Sequence, residues 1–218
     1  NEKSKQQFIS EGMFFLEEAI HCKWEVSHIF YNIEKKNILL DGNIFNYLIK
    51  SGTDITFVNE KILKHLLQKD NPQDFLFTAT KKIFHEPKNV MSNHFSIALE
   101  NIRDPGNLGN IFRTMNAFGI THCFLIGDCV NPYSLEVNRA SMGAIFNLKF
   151  VLISQEKFLN WIKKNKVNLY GTSLETNQSY LNCNWTFPLT IAMGNEQKGL
   201  SKILKENSKN QIKILTKG

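Results

Sequence analysis

Residues 98–119 read ALENIRDPGNLGNIFRTMNAFG, and the fold follows from how this stretch divides. It opens on an apolar, strand-like run (Phe95, Ile97, Leu99) that breaks into polar residues at Glu100 and Asn101. Pro105, Gly106 and Asn107 then turn the chain. Leu108, Ile111, Phe112, Met115 and Phe118 recur at the three- and four-residue spacing of one helical face. That predicts a helix with Asn107 as N-cap and Gly119 as terminator. Strand, turn and helix in this order put the turn outside the carboxyl end of a strand, where open α/β sheets take their ligands. Asn101, Arg103, Asp104, Asn107, Asn110 and Arg113 crowd that turn and helix. A plain surface turn uses fewer polar groups.

Working outward, 218 residues suffice for one large domain or two modest ones, each with a real core. A hydrophobic content of 42% with 21% charged residues argues against wholesale disorder. The net charge of +6 favours an anionic partner, nucleic acid before membrane. A lysine-rich, A/T-biased genome gives the same excess, so charge alone moves the reading little. Cys22, Cys123, Cys129 and Cys183 form no CxxC pair and have no His at zinc-finger spacing. They read as reduced structural thiols of a cytoplasmic protein. No apolar run approaches the ~18 residues of a membrane span, and no signal peptide opens the chain.

Up to about Asn93, short strands (7–10, 26–31, 54–58, 75–80) alternate with helices (13–22, 44–49, 60–68). The last helix is expected to bury Ile62, Leu63, Leu66 and Leu67. Residues 81–94, with Pro87 and a polar cluster, read as a linker. From Phe95 onward, strands near 123–126, 150–153, 168–170, 190–193 and 211–215 are separated by helical stretches at 134–144, 156–164 and 200–207. This implies a mostly parallel sheet with helices on both faces. The expected division is therefore 1–93 and 94–218.

Arg113 lies off the apolar face of its helix, three residues after Asn110, as a solvated cation or a phosphate or ribose contact. Gly106 and Gly109 do not make a GxGxxG or Walker loop. Glu196, in GNEQKG after an apolar strand, is either a helix-capping acid or an organiser of a site. Asp104, Asp128 and Glu196 carry no recognised metal-ligand spacing, and the six histidines are scattered, so no metal site is expected. Lys3, Lys5, Lys23, Lys35 and Lys36, with Trp24 and Tyr31, offer cations and stacking surfaces for RNA or form an ordinary solvated face.

Two stretches carry a family resemblance. NIRDPGNLGNIFRT (101–114) resembles the first signature motif of the SpoU branch of the SPOUT RNA methyltransferases, and MGNEQKGLS (193–201) resembles the second. More loosely, SKQQFISEGMFFLEEAI (4–20) resembles the L30e-like substrate-binding domain that precedes many SpoU catalytic domains. The resemblance implies an S-adenosylmethionine-dependent RNA 2′-O-ribose methyltransferase, with ribosomal RNA favoured over transfer RNA. It implies a small L30e-like α/β/α domain followed by a SPOUT α/β domain, mostly parallel and closed by a C-terminal trefoil knot, in a homodimer with its site at the subunit interface. Arg113 would be catalytic, with Asn107 and Glu196 holding the site. Gly127, Thr172, Ser173, Leu174, Gly194 and Ile214 would line the cofactor. Guanidinium hardly ever gives up a proton, so orientation and charge stabilisation suit Arg113 better than the role of base.

Two other classes stay open, a non-catalytic RNA-binding protein of the same fold and a metal-dependent hydrolase acting on RNA. The family's third motif would begin where the chain ends at Gly218, and Leu215 and Thr216 stand where members have proline and methionine. This predicts that the gene continues for on the order of thirty residues, one strand-to-helix unit.

Overall fold

The computed structural model describes residues 6–35 and 42–215. Lys3, Lys5 and Lys36, of the cations read as RNA-facing, and residues 216–218 lie outside them. A first sheet holds β1 (Gln7–Glu11), β2 (Val26–Asn32), β3 (Asp54–Val58) and β4 (Phe75–Thr80) in the order β1-β4-β2-β3. The β2/β3 pair is parallel and the other two are antiparallel. Between these strands run α1 (Met13–His21), α2 (Gly42–Lys50) and α3 (Glu60–Leu67). Asn59 caps α3 by accepting the Ile62 N–H at 3.0 Å. The buried face of α3 is narrower than its sequence suggested: Leu63 and Leu67 are buried, but Ile62 is exposed.

The second sheet holds β5 (Phe95–Glu100), β6 (His122–Ile126), β7 (Lys149–Ile153), β8 (Asn168–Thr172), β9 (Leu189–Met193) and β10 (Asn210–Ile212). Its order is β10-β8-β9-β5-β6-β7 and every pair is parallel. Both faces are covered, as a parallel sheet requires. Alternation along β5 sends Ile97 and Leu99 to α4 (Pro105–Ala117) and α5 (Leu135–Ser141). Ala98 points the other way, to α6 (Gln155–Lys164) and α7 (Lys202–Glu206). The expected helix over 134–144 is broken, because Met142 and Gly143 adopt positive φ (48° and 81°) and reverse the chain after α5.

The cap of α4 is not the expected one. Asp104, three residues earlier than Asn107, accepts the Asn107 backbone N–H at 2.7 Å, and Pro105 starts the helix. Proline has no N–H to lose at a first helical position, which moves the start upstream. Gly119 ends the helix at φ 69° as expected, but Phe118 is exposed rather than buried.

The two sheets share one core. Phe8 packs on Tyr133 with ring centroids 4.9 Å apart, and Trp24 packs on Phe146 at 5.6 Å. Trp24 Nε1 donates to the Phe146 carbonyl at 2.8 Å. Arg139 of α5 binds the buried Glu11 carboxylate at 2.7 Å and donates to the Leu67 carbonyl at 2.9 Å. Trp24 and Tyr31, read as RNA-stacking surfaces, are therefore core residues, 3% and 1% exposed. Residues 81–94 have no regular secondary structure, as expected of a linker, yet they are pinned. Trp161 Nε1 donates to the Pro87 carbonyl at 2.9 Å, and the Phe84 ring meets Phe150 at 5.5 Å. Cutting the chain at residue 93 would thus open a core rather than release a detachable unit. Among the described residues no helix is long and apolar enough to cross a membrane.

Candidate active site

In the second sheet, β5 and β9 are neighbours whose onward connections leave in opposite directions, β5 toward β6 and β9 toward β10. Their carboxyl ends therefore part and leave a crevice, the topological switch point of an open parallel sheet. The stretch after β5 and the loop after β9 meet there. Asn107 Nδ2 donates to Glu196 Oε1 at 3.2 Å, joining residues 89 positions apart. Asn195 Nδ2 donates to Glu196 Oε2 at 3.1 Å and to the Asn101 carbonyl at 2.9 Å. Partial burial works against ionisation of Glu196. Hydrogen bonds from its own backbone N–H, the Asn107 side chain and the Asp104 and Arg103 backbone N–H groups outweigh it, so its carboxyl is held below the usual range.

The loop after β9 closes tightly on itself. Asn195 Oδ1 accepts the backbone N–H groups of Gln197 and Lys198, and its carbonyl accepts that of Gly199 at 2.8 Å. A side chain at Gly194 would put Cβ 2.1 Å from the Gly199 carbonyl carbon. The space at Gly194 is thus filled by the protein's own backbone. Gly109 serves packing as well: a Cβ there would lie 2.4 Å from Ala140 Cβ, where α4 crosses α5.

Arg113 is exposed and forms no hydrogen bond or ion pair with another described residue. Six residues beyond Asn107, it lies about 9 Å along the helix axis and about 120° around it. One chain therefore joins Asn107 to Glu196 and leaves Arg113 apart. Asn110 sits between and, with Asn107 and Glu196, rims a hollow of about 450 Å3 walled by Ile97, Ile111, Met115 and Met193.

The expected cofactor-lining residues fall on the same carboxyl edge. Ser173 N–H donates to the Ile212 carbonyl at 2.9 Å, which sets Leu174 and Ile214 on adjoining strand ends, 80% and 47% exposed. Thr172 ends β8 and donates to the Ala192 carbonyl at 3.1 Å, one residue from Met193 at the end of β9. Two exposed apolar side chains beside the Thr172 and Ser173 hydroxyls suit an adenosine group with a polar tail. Gly127 stands apart, since β9 and β5 lie between it and β8. Its open side is taken by Asn101, whose Oδ1 accepts the Asp128 N–H at 2.8 Å.

Two organising residues went unread in the sequence. Glu100, 4% exposed, accepts the Ser201 N–H at 2.7 Å and a Gln155 amide proton at 2.8 Å, tying the ends of β5, α6 and α7 together. Asn195 was visible inside the second motif, but only the folded loop reveals it as the hub. The acids otherwise have local duties: Asp104 caps α4, and Asp128 pairs with exposed Arg103 at 2.5 Å. Among the described residues, no three His, Cys, Asp or Glu side chains converge where a metal could sit. Burial raises the thiol pKa of Cys22, Cys123 and Cys129, which makes them poor nucleophiles.

A parallel sheet with a polar, loop-built crevice at its switch point belongs to the open α/β class, which takes its ligands at that crevice. The SpoU rRNA Methylase family model matches residues 94–218, and the MRM3-like substrate binding domain model matches 2–76. An uncharacterized tRNA/rRNA methyltransferase of Synechocystis is 27% identical over 97% of this chain and 77% of its own. The 23S rRNA (guanosine(2553)-2′-O)-methyltransferase RlmP of Bacillus subtilis is 23% identical over 92% of this chain and 76% of its own. The crystal structure of an AdoMet-bound rRNA methyltransferase from Sinorhizobium meliloti superimposes with a TM-score of 0.87, at 27% identity, over 99% of this chain and 80% of that one. The chain belongs to the SpoU rRNA methylase family. It is an S-adenosylmethionine-dependent RNA methyltransferase.

Proposed function

We propose that the protein methylates a ribose 2′-hydroxyl of ribosomal RNA in the cytoplasm, as a homodimer. Residues 1–93 extend the RNA-contacting surface and residues 94–218 hold the chemistry. The observation that carries this reading is the Asn107–Glu196 hydrogen bond at the switch point, beside the strand ends that present Thr172, Ser173, Leu174, Gly194 and Ile214. Those five residues would hold S-adenosylmethionine, whose sulfonium would supply the methyl group to the ribose oxygen, with the hydroxyl proton passing to solvent.

Arg113 orients the hydroxyl or its neighbouring phosphate and stabilises the charge that develops on oxygen. Asn107 and Glu196 keep the stretch after β5 and the loop after β9 at a fixed separation, so that most of the acceleration comes from positioning. Within one chain Arg113 stands off this pair, so a second subunit that brings its own α4 alongside completes the constellation. Exposed Phe118, which caps the carboxyl end of the same helix, supports such a contact.

Ribosomal RNA is preferred because the amino-terminal unit matches a substrate-binding domain and RlmP, by name, acts on 23S rRNA. Mapping ribose methylation in host RNA with and without the gene tests it. Loss of one methylated nucleotide in ribosomal RNA is the expected result. A loss confined to transfer RNA, or no loss, overturns the assignment.

A further inference from the structure

The net positive charge is concentrated away from the active site. Residues 81–94 and 155–166, the strap between the sheets and α6 with its exit, hold seven lysines against Glu86 and Glu156. They carry five of the chain's six net positive charges. The strap lies against α6 and leaves a groove of about 640 Å3, with Glu86 and Lys88 on one bank and Lys157, Asn160 and Lys164 on the other, three cations to one acid. Its floor is rigid: Trp161 is buried and holds the strap through the Pro87 carbonyl.

Lys157, Asn160 and Lys164 share one stripe of the helix, with the lysines about 10 Å apart along its axis. Lys88, Lys157 and Lys164 are exposed and make no ion pair with another described residue. One end of α6 adjoins the active site, because Gln155 donates to Glu100 and to Ser201 Oγ, both at 2.8 Å. Glu100 and Ser201 also line a hollow that holds Arg103 and Lys198.

We propose that the groove between the 81–94 strap and α6 is a second RNA-contacting site, where Lys88, Lys157 and Lys164 bind the phosphate backbone of substrate lying outside the active-site crevice. The proposal rests on RNA being the substrate. A preformed cationic groove on the helix whose first residue bonds the ends of β5 and α7 can grip a backbone without reading its sequence, with the Asn160 amide as an added donor. Such a site fixes how the RNA approaches and leaves the choice of nucleotide to the crevice.

Because these contacts are sequence-independent, a fluorescein-labelled 30-nucleotide poly(U) serves as the probe. Anisotropy titrations from 50 to 200 mM KCl compare the wild type with K88Q/K157Q/K164Q and with K149Q/K202Q/K209Q, the latter an equal charge change scattered over β7, α7 and the residue before β10. Each single-strand phosphate contact contributes about 0.7 to the slope of log K against log salt. The groove variant should lose about 2 from that slope and bind about 50-fold more weakly at 0.15 M. The scattered variant should keep most of it, and K88R/K157R/K164R should restore it.

In methyl transfer to host ribosomal RNA, the groove variant should raise KM and leave kcat within twofold. An unchanged slope, or equal losses in the groove and scattered variants, overturns the groove while leaving the methyltransferase reading intact. Absence of transfer by the wild type overturns that reading instead, whatever the slopes.

Discussion

Asn107→Asp tests the centre of the site while sparing the fold. It removes the amide that donates to Glu196 at 3.2 Å and places a second carboxylate at about that separation. Two unit charges so spaced repel by about 5 kcal/mol at an effective dielectric of 20, and by about 1.3 kcal/mol in water. Glu196 is exposed, so the lower end applies after screening, about 1–2 kcal/mol. Position 107 is also the third residue of α4, where an acid meets the positive helix end and contributes about 0.3–1 kcal/mol of stability. The two effects largely offset in folding and do not offset in the site.

The melting temperature should therefore move by less than about 4 °C, while kcat/KM for methyl transfer falls about 5- to 30-fold. Glu196→Gln in the same chain restores a hydrogen bond of reversed polarity, with the new amide donating to the new carboxylate. The double variant should outperform N107D alone. Tritium incorporation from labelled S-adenosylmethionine into host ribosomal RNA, alongside thermal melts, measures both quantities. The reasoning fails if N107D keeps more than half of wild-type kcat/KM, or if the double variant is no better than N107D.

Three further outcomes follow from the same geometry. Arg113→Ala should lower the single-turnover methyl-transfer rate about 10²–10³-fold, with cofactor affinity by calorimetry within twofold; a variant that keeps most of its rate removes Arg113 from the chemistry. Gly194→Ala forces Cβ into the Gly199 and Leu200 backbone at 2.1–2.2 Å. It should cost about 1–3 kcal/mol and weaken cofactor binding, which unchanged melting and unchanged calorimetry together would contradict. Arg139→Ala leaves the buried Glu11 carboxylate with Lys69 at 3.8 Å and the Gln73 N–H at 3.4 Å. Urea unfolding should show a loss of about 3 kcal/mol, partly recovered by adding Glu11→Gln; a loss below about 1 kcal/mol would mean the two sheets are not locked by this pair.

The sequence by itself determined the strands and helices around the site, because period-two and period-3.6 patterns are local and strong in 95–126 and 149–172. Its two motifs that resemble the family's signatures drew attention to Asn107, Arg113 and Glu196, while its polar pattern alone left a solvated cation and a capping acid open for Arg113 and Glu196. It misplaced the cap of α4 by three residues, because Asn107 and Asp104 are both good caps and only the backbone geometry set by Pro105 separates them. It read Trp24 and Tyr31 as RNA-facing, since burial depends on partners distant in sequence, Phe146 for Trp24 and Phe57 and Phe75 for Tyr31.

The tertiary structure alone decided what long-range contact creates. Asn107 meets Glu196 across 89 positions, Glu100 ties three strand and helix ends together, and lysines near residues 88 and 160 fall on the banks of one groove. Local pattern constrains neighbours in sequence through backbone geometry, whereas strand order in a parallel sheet is set by how crossovers pack. No spacing along the chain records that β9 lies beside β5.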